Sequence, residues 1–287
     1  MTLSTKTVCG YEGEPLVEEV FDESGILLSI KDLRAPFSRR SYLLPYDGIK
    51  VSVSKRFNTW EDLEALVKAP CVPIELGLPY QLGSFNTTLV GRVHQAIEML
   101  RSSQLQVRTL HAVLAPITYS NFLEWGEIVL QIADSLGADT VTVHPNRLRS
   151  DVSREDAQRG ALTMIRTLQN RHKAVIAVET FRGSRRVFLA EDLLEHGVPI
   201  VLDVAHETRD RSLWLVEQHN TLIRTIHLSA MNPHTRHLPV DRFCLDILEL
   251  AMRRGWKGNV VLEYLPQYQE IMVTDLQKLI DFLEKPT

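Results

Sequence analysis

In the stretch Val201-Leu202-Asp203-Val204-Ala205-His206, an apolar run ends in a carboxylate and an imidazole follows three residues later. Side chains on a strand alternate between faces, so residues three apart point opposite ways. Asp203 and His206 therefore share a site only if the strand stops near Asp203 and turns. The pattern recurs along the chain. Val72–Ile74 leads into Glu75, Val107–Leu110 into His111, Val141–Val143 into His144 and Val175–Val178 into Glu179. Ile223–Ile226 leads into His227 and Val260–Leu262 into Glu263, while Ile49–Val53 ends at Ser54-Lys55-Arg56. Carboxylates and imidazoles delivered together form a mixed oxygen and nitrogen donor set suited to Mn2+, Zn2+, Mg2+ or Fe2+. A single histidine after a strand is ordinarily a turn or core residue; the shared position is what carries the argument.

The elements that must position these groups follow from the spacing. The expected strand ends, at 53, 75, 111, 144, 179, 203, 227 and 263, lie 22 to 36 residues apart, the length of one strand–helix unit. Eight such units with nearly continuous apolar strands predict an α/β protein, a closed (β/α)8 TIM barrel, with its chemistry at the C-terminal strand edge. The intervening helices are expected at Trp60–Ala69 (capped by Asn58 or Thr59), Thr87–Ser103, Tyr119–Leu136 and Ser153–His172. The remaining four are expected at Val187–His196, Arg211–His219, Asp241–Arg254 and Thr274–Glu284. Gly137, Gly197 and Gly255 follow as stop signals. Phe122, Leu123 and Trp125 are read as core, as are Cys71 and Cys244.

Residues 1–48 stand outside the repeat and are taken as an extension to a barrel spanning 49–287. Leu16–Phe21, a turn at Asp22-Glu23-Ser24-Gly25, and Ile26–Ile30 predict a β-hairpin. Arg34–Tyr46 is basic and proline-punctuated and is expected to be irregular. The segment is expected to cap the barrel or to join a subunit contact in a homo-oligomer.

Composition narrows the partners. The net charge of −4 offers no basic field to drive non-specific nucleic-acid binding, which disfavours a nucleic-acid partner. Three cysteines without a CxxC pattern point to a reducing compartment. No apolar run has the roughly 20 residues needed to cross a bilayer, and the first residues lack a signal-type apolar core. A cytoplasmic protein without membrane partners is the expectation. Arg147 and Arg149 follow the fourth expected strand, Arg182, Arg185 and Arg186 the fifth, Arg209 and Arg211 the sixth, and Arg236 the seventh; Lys55 and Arg56 follow the first. Guanidinium groups recognise phosphate and carboxylate through paired hydrogen bonds. A small anionic carbohydrate or phosphoester substrate is therefore expected, with Arg147, Arg182, Arg185, Arg236 and Glu75 as substrate-contacting candidates. Glu75 reads more naturally as a hydrogen-bonding support than as a ligand.

Six motifs in order resemble the xylose isomerase-like TIM-barrel superfamily, which contains sugar isomerases, epimerases and endonuclease IV. They are His-Ala-x-x-Ala-Pro (111–116), Gly-Ala-Asp-x-Val-x-Val-His-Pro (137–145), Val-Glu-Thr (178–180), Leu-Asp-x-x-His (202–206), Ile-His-Leu-Ser (226–229) and Val-Leu-Glu (261–263). The resemblance implies that Glu179, Asp203, His227 and Glu263 bind one divalent metal. Glu179 and Glu263 would also act as acid and base in isomerisation or epimerisation of a sugar or sugar phosphate. His206 would then contact the substrate or a further metal. In endonuclease IV, histidines matching His111 and His144 bind zinc, which implies the alternative of a multinuclear phosphoester hydrolase. His237 resembles the histidine of that enzyme's Asp-Arg-His, but Thr235 stands in place of the aspartate. Ser229 and Ala230 replace the acid common after the strand-seven histidine, and Val240-Asp241-Arg242 replaces the frequent Gly-Glu-Gly turn.

Overall fold

Each apolar run read from the sequence is a strand in the computed structural model of the protein. The structure describes residues 3–10, 12–34, 48–57, 59–68, 72–78, 93–103, 105–112, 122–183 and 185–284. The barrel strands are β4 (Ile49–Arg56), β5 (Ile74–Gly77), β6 (Val107–Ala112), β7 (Thr140–Val143), β8 (Val175–Glu179), β9 (Ile200–Asp203), β10 (Ile223–Leu228) and β11 (Gly258–Leu262). They close in the order β10-β11-β4-β5-β6-β7-β8-β9, and the paired registers from β4 to β9 are parallel. The strands are short and buried almost throughout, as expected where helices cover the outer face.

The helices are α1 (Trp60–Lys68), α2 (Val93–Ser102), α3 (Phe122–Leu136), α4 (Arg154–Gln169), α5 (Ala190–Glu195), α6 (Arg209–His219), α7 (Arg242–Arg253) and α8 (Gln269–Glu284). Of the two caps expected for α1, Thr59 serves: its Oγ1 accepts from the Asp62 amide at 3.1 Å and the Asp62 carboxylate accepts from the Thr59 amide at 3.0 Å. Asn58 lies outside the described residues, as do Ala69, residues 87–92 and 119–121 of the expected helices, Cys71, the side chain of Phe122, and all of the basic segment after Arg34. Trp125 and Cys244 are buried as expected, but Leu123 is not core: it is 40% exposed at the start of α3. Helix α5 begins at Ala190 rather than Val187. Helix α8 begins at Gln269, five residues before the expected start, because a 3-10 turn at Pro266–Tyr268 leads directly into it.

Before the barrel lie three antiparallel strands, β1 (Ser4–Cys9), β2 (Pro15–Phe21) and β3 (Leu27–Asp32), in the order β1-β2-β3. The expected hairpin is β2–β3. Its turn is set by Asp22, whose Oδ1 accepts from the Ser24 and Ile26 amides, and by Gly25 at φ 80°, a left-handed backbone suited to glycine. Strand β1 was not read from sequence; Ser4-Thr5-Lys6-Thr7 is polar and exposed, so it carries no apolar signal.

Contacts divide the chain into two compact units. One comprises residues 52–202 and 221–226. The other comprises residues 1–51, 203–220 and 227–287. In the first, α3 is tied to the α4–β8 connection by Asp134, which accepts from the Lys173 and Ala174 amides and from His172. In the second, buried Arg34 grips Asp32 and Asp275 with paired hydrogen bonds, linking the N-terminal sheet to α8. Among the described residues no helix is long and apolar enough to cross a membrane.

Candidate metal and substrate site

Within the unit of residues 52–202, period-two alternation puts Thr109 and His111 on one face of β6, both fully buried. Strand β7 ends at Val143, so His144 stands just past its end, and Glu179 is the last residue of β8. The three side chains converge. His111 Nε2 lies 2.9 Å from His144 Nε2 and 3.3 Å from Glu179 Oε2, and His144 Nε2 lies 2.5 Å from that oxygen. Two imidazole nitrogens and a carboxylate oxygen clustered this way match a three-ligand metal site, whose bonds would be about 2.0–2.2 Å for zinc.

Behind His111 stands Glu75, wholly buried in β5. Its Oε1 lies 3.3 Å from His111 Nδ1, and its Oε2 accepts from Thr109 Oγ1 at 2.9 Å. A carboxylate at the far nitrogen favours the Nδ1–H tautomer and leaves the Nε2 lone pair facing the cluster. Thr109 was missed from sequence, although its place two residues before His111 put it on the same face. Phe181, also missed, lies edge-on to His144 at 5.0 Å between ring centroids.

The loops after β7 and β8 join as a short ribbon. Arg147 bridges Arg186, Leu148 N donates to Arg185 O at 2.6 Å, and Val187 N donates to Asn146 O at 2.8 Å. Arg147, Arg182 and Arg185 are exposed on it. Arg186 is turned inward: it donates to Pro145 O at 3.0 Å and stacks on Phe181 at 4.4 Å. Arg149 is held by Asp151 through two hydrogen bonds. Lys55 lies within β4, where burial lowers its pKa. Arg56 passes over Gly77, so closely that a Cβ there would collide with it.

Within the other unit, Asp203 ends β9. Its Oδ1 accepts from the Ala205 and His206 amides at 2.7 and 3.2 Å, forming the turn that brings His206 back toward it. Asp203 Oδ2 faces His206 Nε2 at 3.6 Å and His227 Nδ1 at 4.0 Å, while Glu263 Oε2 lies 3.2 Å from His227 Nδ1. Asp203 and His227 are fully buried and Glu263 nearly so. This buried carboxylate–imidazole–carboxylate set is also suited to a divalent cation. His237 joins on the outer side: its ring lies 5.2 Å from that of His206, and its Nδ1 is 3.3 Å from Ser229 Oγ. Its backbone is left-handed, φ 56°, an uncommon state for a residue with a side chain.

Arg236 Nη1 donates to His206 Nδ1 at 2.8 Å. A guanidinium only donates, so Nδ1 must accept and the proton of the neutral ring sits on Nε2. That leaves His206 a hydrogen-bond donor toward Asp203 rather than a nitrogen lone pair for a metal. The remaining loop arginines have local partners: Arg209 pairs with Glu12 and lies 5.0 Å over Phe243, and Arg211 reaches Glu207 at 3.1 Å.

No protein-family model matches the chain, and no curated protein matches it by sequence. Solved structures do. An E. coli 3-keto-D-glucoside 4-epimerase is 14% identical with a TM-score of 0.57, over 81% of this chain and 98% of its own. A zinc-bound IOLI protein is 15% identical at 0.56, over 83% and 99%. Endonuclease IV from Thermus thermophilus is 14% identical at 0.53, over 80% and 98%. The barrel, its strand order and these likenesses together give the chain the fold of the xylose isomerase-like TIM barrels.

Proposed function

We propose that the protein is a divalent-metal enzyme with two metal sites, hydrolysing a phosphoester of a small anionic substrate. The observation that supports this most is the convergence of His111 Nε2, His144 Nε2 and Glu179 Oε2, with Glu75 orienting His111 from behind. In this reading His111, His144 and Glu179 hold one metal. Following the resemblance, Glu179, Asp203, His227 and Glu263 hold the other. Bound there, the metals would supply Lewis acidity to the phosphoryl oxygens and to the attacking water.

The chain's own residues supply the rest. Arg147, Arg182 and Arg185 on the ribbon would draw in and orient the anionic group. His206 carries its proton on Nε2 because Arg236 occupies Nδ1, so it is set to donate a hydrogen bond from Nε2 to charge developing on the departing oxygen. The donor set fits Zn2+, Mn2+ or Fe2+ better than Mg2+, which takes oxygen ligands and retains its waters.

One observation favours a second reading, a single-metal isomerase or epimerase of a sugar or sugar phosphate. Thr235 and the Arg236–His206 contact leave the Asp203, His206 and His237 group without the electronics of a further metal site. Glu179 and Glu263 would then carry the proton between neighbouring carbons. The two readings separate on metal content per chain of protein purified without chelators, combined with hydrolysis of bis(p-nitrophenyl) phosphate and p-nitrophenyl phosphate. Two metals with ester hydrolysis support the hydrolase. One metal, retained in His111→Ala, with neither ester cleaved, moves the assignment to the isomerase.

A further inference from the structure

The loop from Ser229 to Asp241, which carries Arg236 and His237, is gripped by the N-terminal segment. Asn232 Nδ2 donates to the Cys9 carbonyl at 3.1 Å, at the end of β1. The other end of the same side chain shapes the loop: Asn232 Oδ1 accepts from the His234 and Thr235 amides at 2.9 and 2.7 Å. Further on, both backbone groups of Val240 are fixed. Its carbonyl accepts from Arg34 Nη1 at 3.1 Å and its amide donates to Tyr264 Oη at 3.0 Å. Tyr264 follows Glu263 and donates in turn to Asp275, the second partner of Arg34. The β1–β2 turn adds two more contacts: Glu12 pairs with Arg209 at the start of α6, and the Glu14 carboxyl meets Asp241, which caps α7 through the Cys244 amide.

These contacts span 206 and 223 residues of sequence, so they are features of the folded extension rather than of the loop itself. Within the loop, the backbone pairing among the described residues is the Ala230–Leu238 bridge and the Asn232–Thr235 turn. Beyond it, His237 O accepts from the Leu265 amide at 2.9 Å. The turn fixes the loop's shape, and Cys9 and Arg34 join Tyr264 and Leu265 in fixing its place.

We propose that Asn232 and Arg34 are positioning residues, through which the N-terminal sheet seats Arg236 on His206 and sets which ring nitrogen of His206 carries the proton. This rests on the reading of Arg236 and His206 as part of the site. An extension acting this way is a working part of the site.

The test uses the full chain and dissects the two ends of Asn232. Asn232→Asp keeps the Oδ1 acceptor that makes the turn but removes the Nδ2 donor to Cys9; Asn232→Ala removes both. Arg34→Lys and Arg34→Met vary the second tie. Two readouts need no substrate: amide exchange across residues 230–238, and nitrogen-15 shifts of His206, which report its tautomer. Wild type is expected to show the proton on Nε2. Asn232→Asp is expected to speed exchange about tenfold or more, as local opening becomes easier, and to mix the two tautomers, with Arg34→Lys milder than Arg34→Met. An Asn232→Asp protein with wild-type exchange and tautomer overturns the proposal, as does a wild-type His206 protonated on Nδ1. If Arg34→Met fails to fold, Asn232→Asp still decides the matter, since it leaves the buried Arg34–Asp275 pair intact. Because neither readout depends on turnover, a failure of the hydrolase reading would appear separately, as absent ester cleavage with the tautomer result unchanged.

Discussion

His111 and His206 both stand near the C-terminal edge of a barrel strand, both beside a buried carboxylate, and both in clusters of metal-ligating residue types. They differ in what meets the far nitrogen. Behind His111 it is a carboxylate, Glu75; behind His206 it is a guanidinium, Arg236. The first pulls the proton back and leaves a lone pair facing the cluster, and the second takes the lone pair and pushes the proton forward. Identical residue types in similar settings thus present opposite faces, one a nitrogen lone pair and the other an N–H donor. A histidine near acids is therefore assigned by the partner of its other nitrogen.

Substitutions at these positions put the contrast to the test. The largest effect is expected from Glu179→Ala, which removes the carboxylate proposed to serve both metals. Metal content should fall, and ester hydrolysis should drop beyond the roughly 10–100-fold expected for an outer partner; elemental analysis with kinetics checks this. Glu75→Gln is next. It keeps the shape behind His111 but no longer demands a proton from Nδ1, so metal affinity at that site should weaken about 10–100-fold. Titration with Zn2+ measures it, and unchanged affinity would show that Glu75 does not tune His111. Arg236→Met should leave the metal content as in wild type while slowing ester hydrolysis by about tenfold, since losing one preorganised donor outright costs about 10²–10³ and this variant only frees its tautomer. A loss of metal in that variant would show His206 to be a ligand after all.

The smallest effect concerns pH. Burial raises the pKa of Glu14, and the neighbouring Asp241 raises it further. A carboxyl raised in the folded state contributes stability that is full below its unfolded pKa and is lost as the pH rises through its folded value. The contact between the β1–β2 turn and α7 should therefore loosen above the ordinary glutamate range. Asp32 behaves oppositely. Burial alone would raise its pKa, but the hydrogen bonds and charge of Arg34 outweigh burial and lower it. Its contribution is present above the unfolded pKa and is lost as pH falls through the folded value. Exchange at β2 and β3 amides, followed from strong acid to neutrality, should show protection growing as Asp32 ionises. Glu14→Gln should remove the loosening at higher pH while leaving the acid limb unchanged.

The barrel was legible because its strands are short apolar runs that end in polar residues, a pattern sequence carries directly. Placing Asp203, His227 and Glu263 at strand ends needed nothing more. What was hidden depended on distant pairing. Nothing in the residues around His206 announces that Arg236, thirty positions on, will occupy its Nδ1. Nor does the basic segment containing Arg34 announce a partner in Asp275. Strand β1 was invisible because its residues are polar and gain their place only from pairing with β2. Leu123 was misread because apolar spacing marks a helix face without saying how far along the helix the packing extends.

The left-handed backbone at His237 has a consequence for engineering this protein. A residue with a Cβ is held there at a cost of about 1 kcal/mol or more, which glycine would not incur. His237→Gly should therefore raise the melting temperature by a few degrees, even as it removes an imidazole from beside His206. Selection for heat resistance alone would find that exchange readily, so thermostable variants of this barrel should be sequenced at position 237 before they are trusted as catalysts.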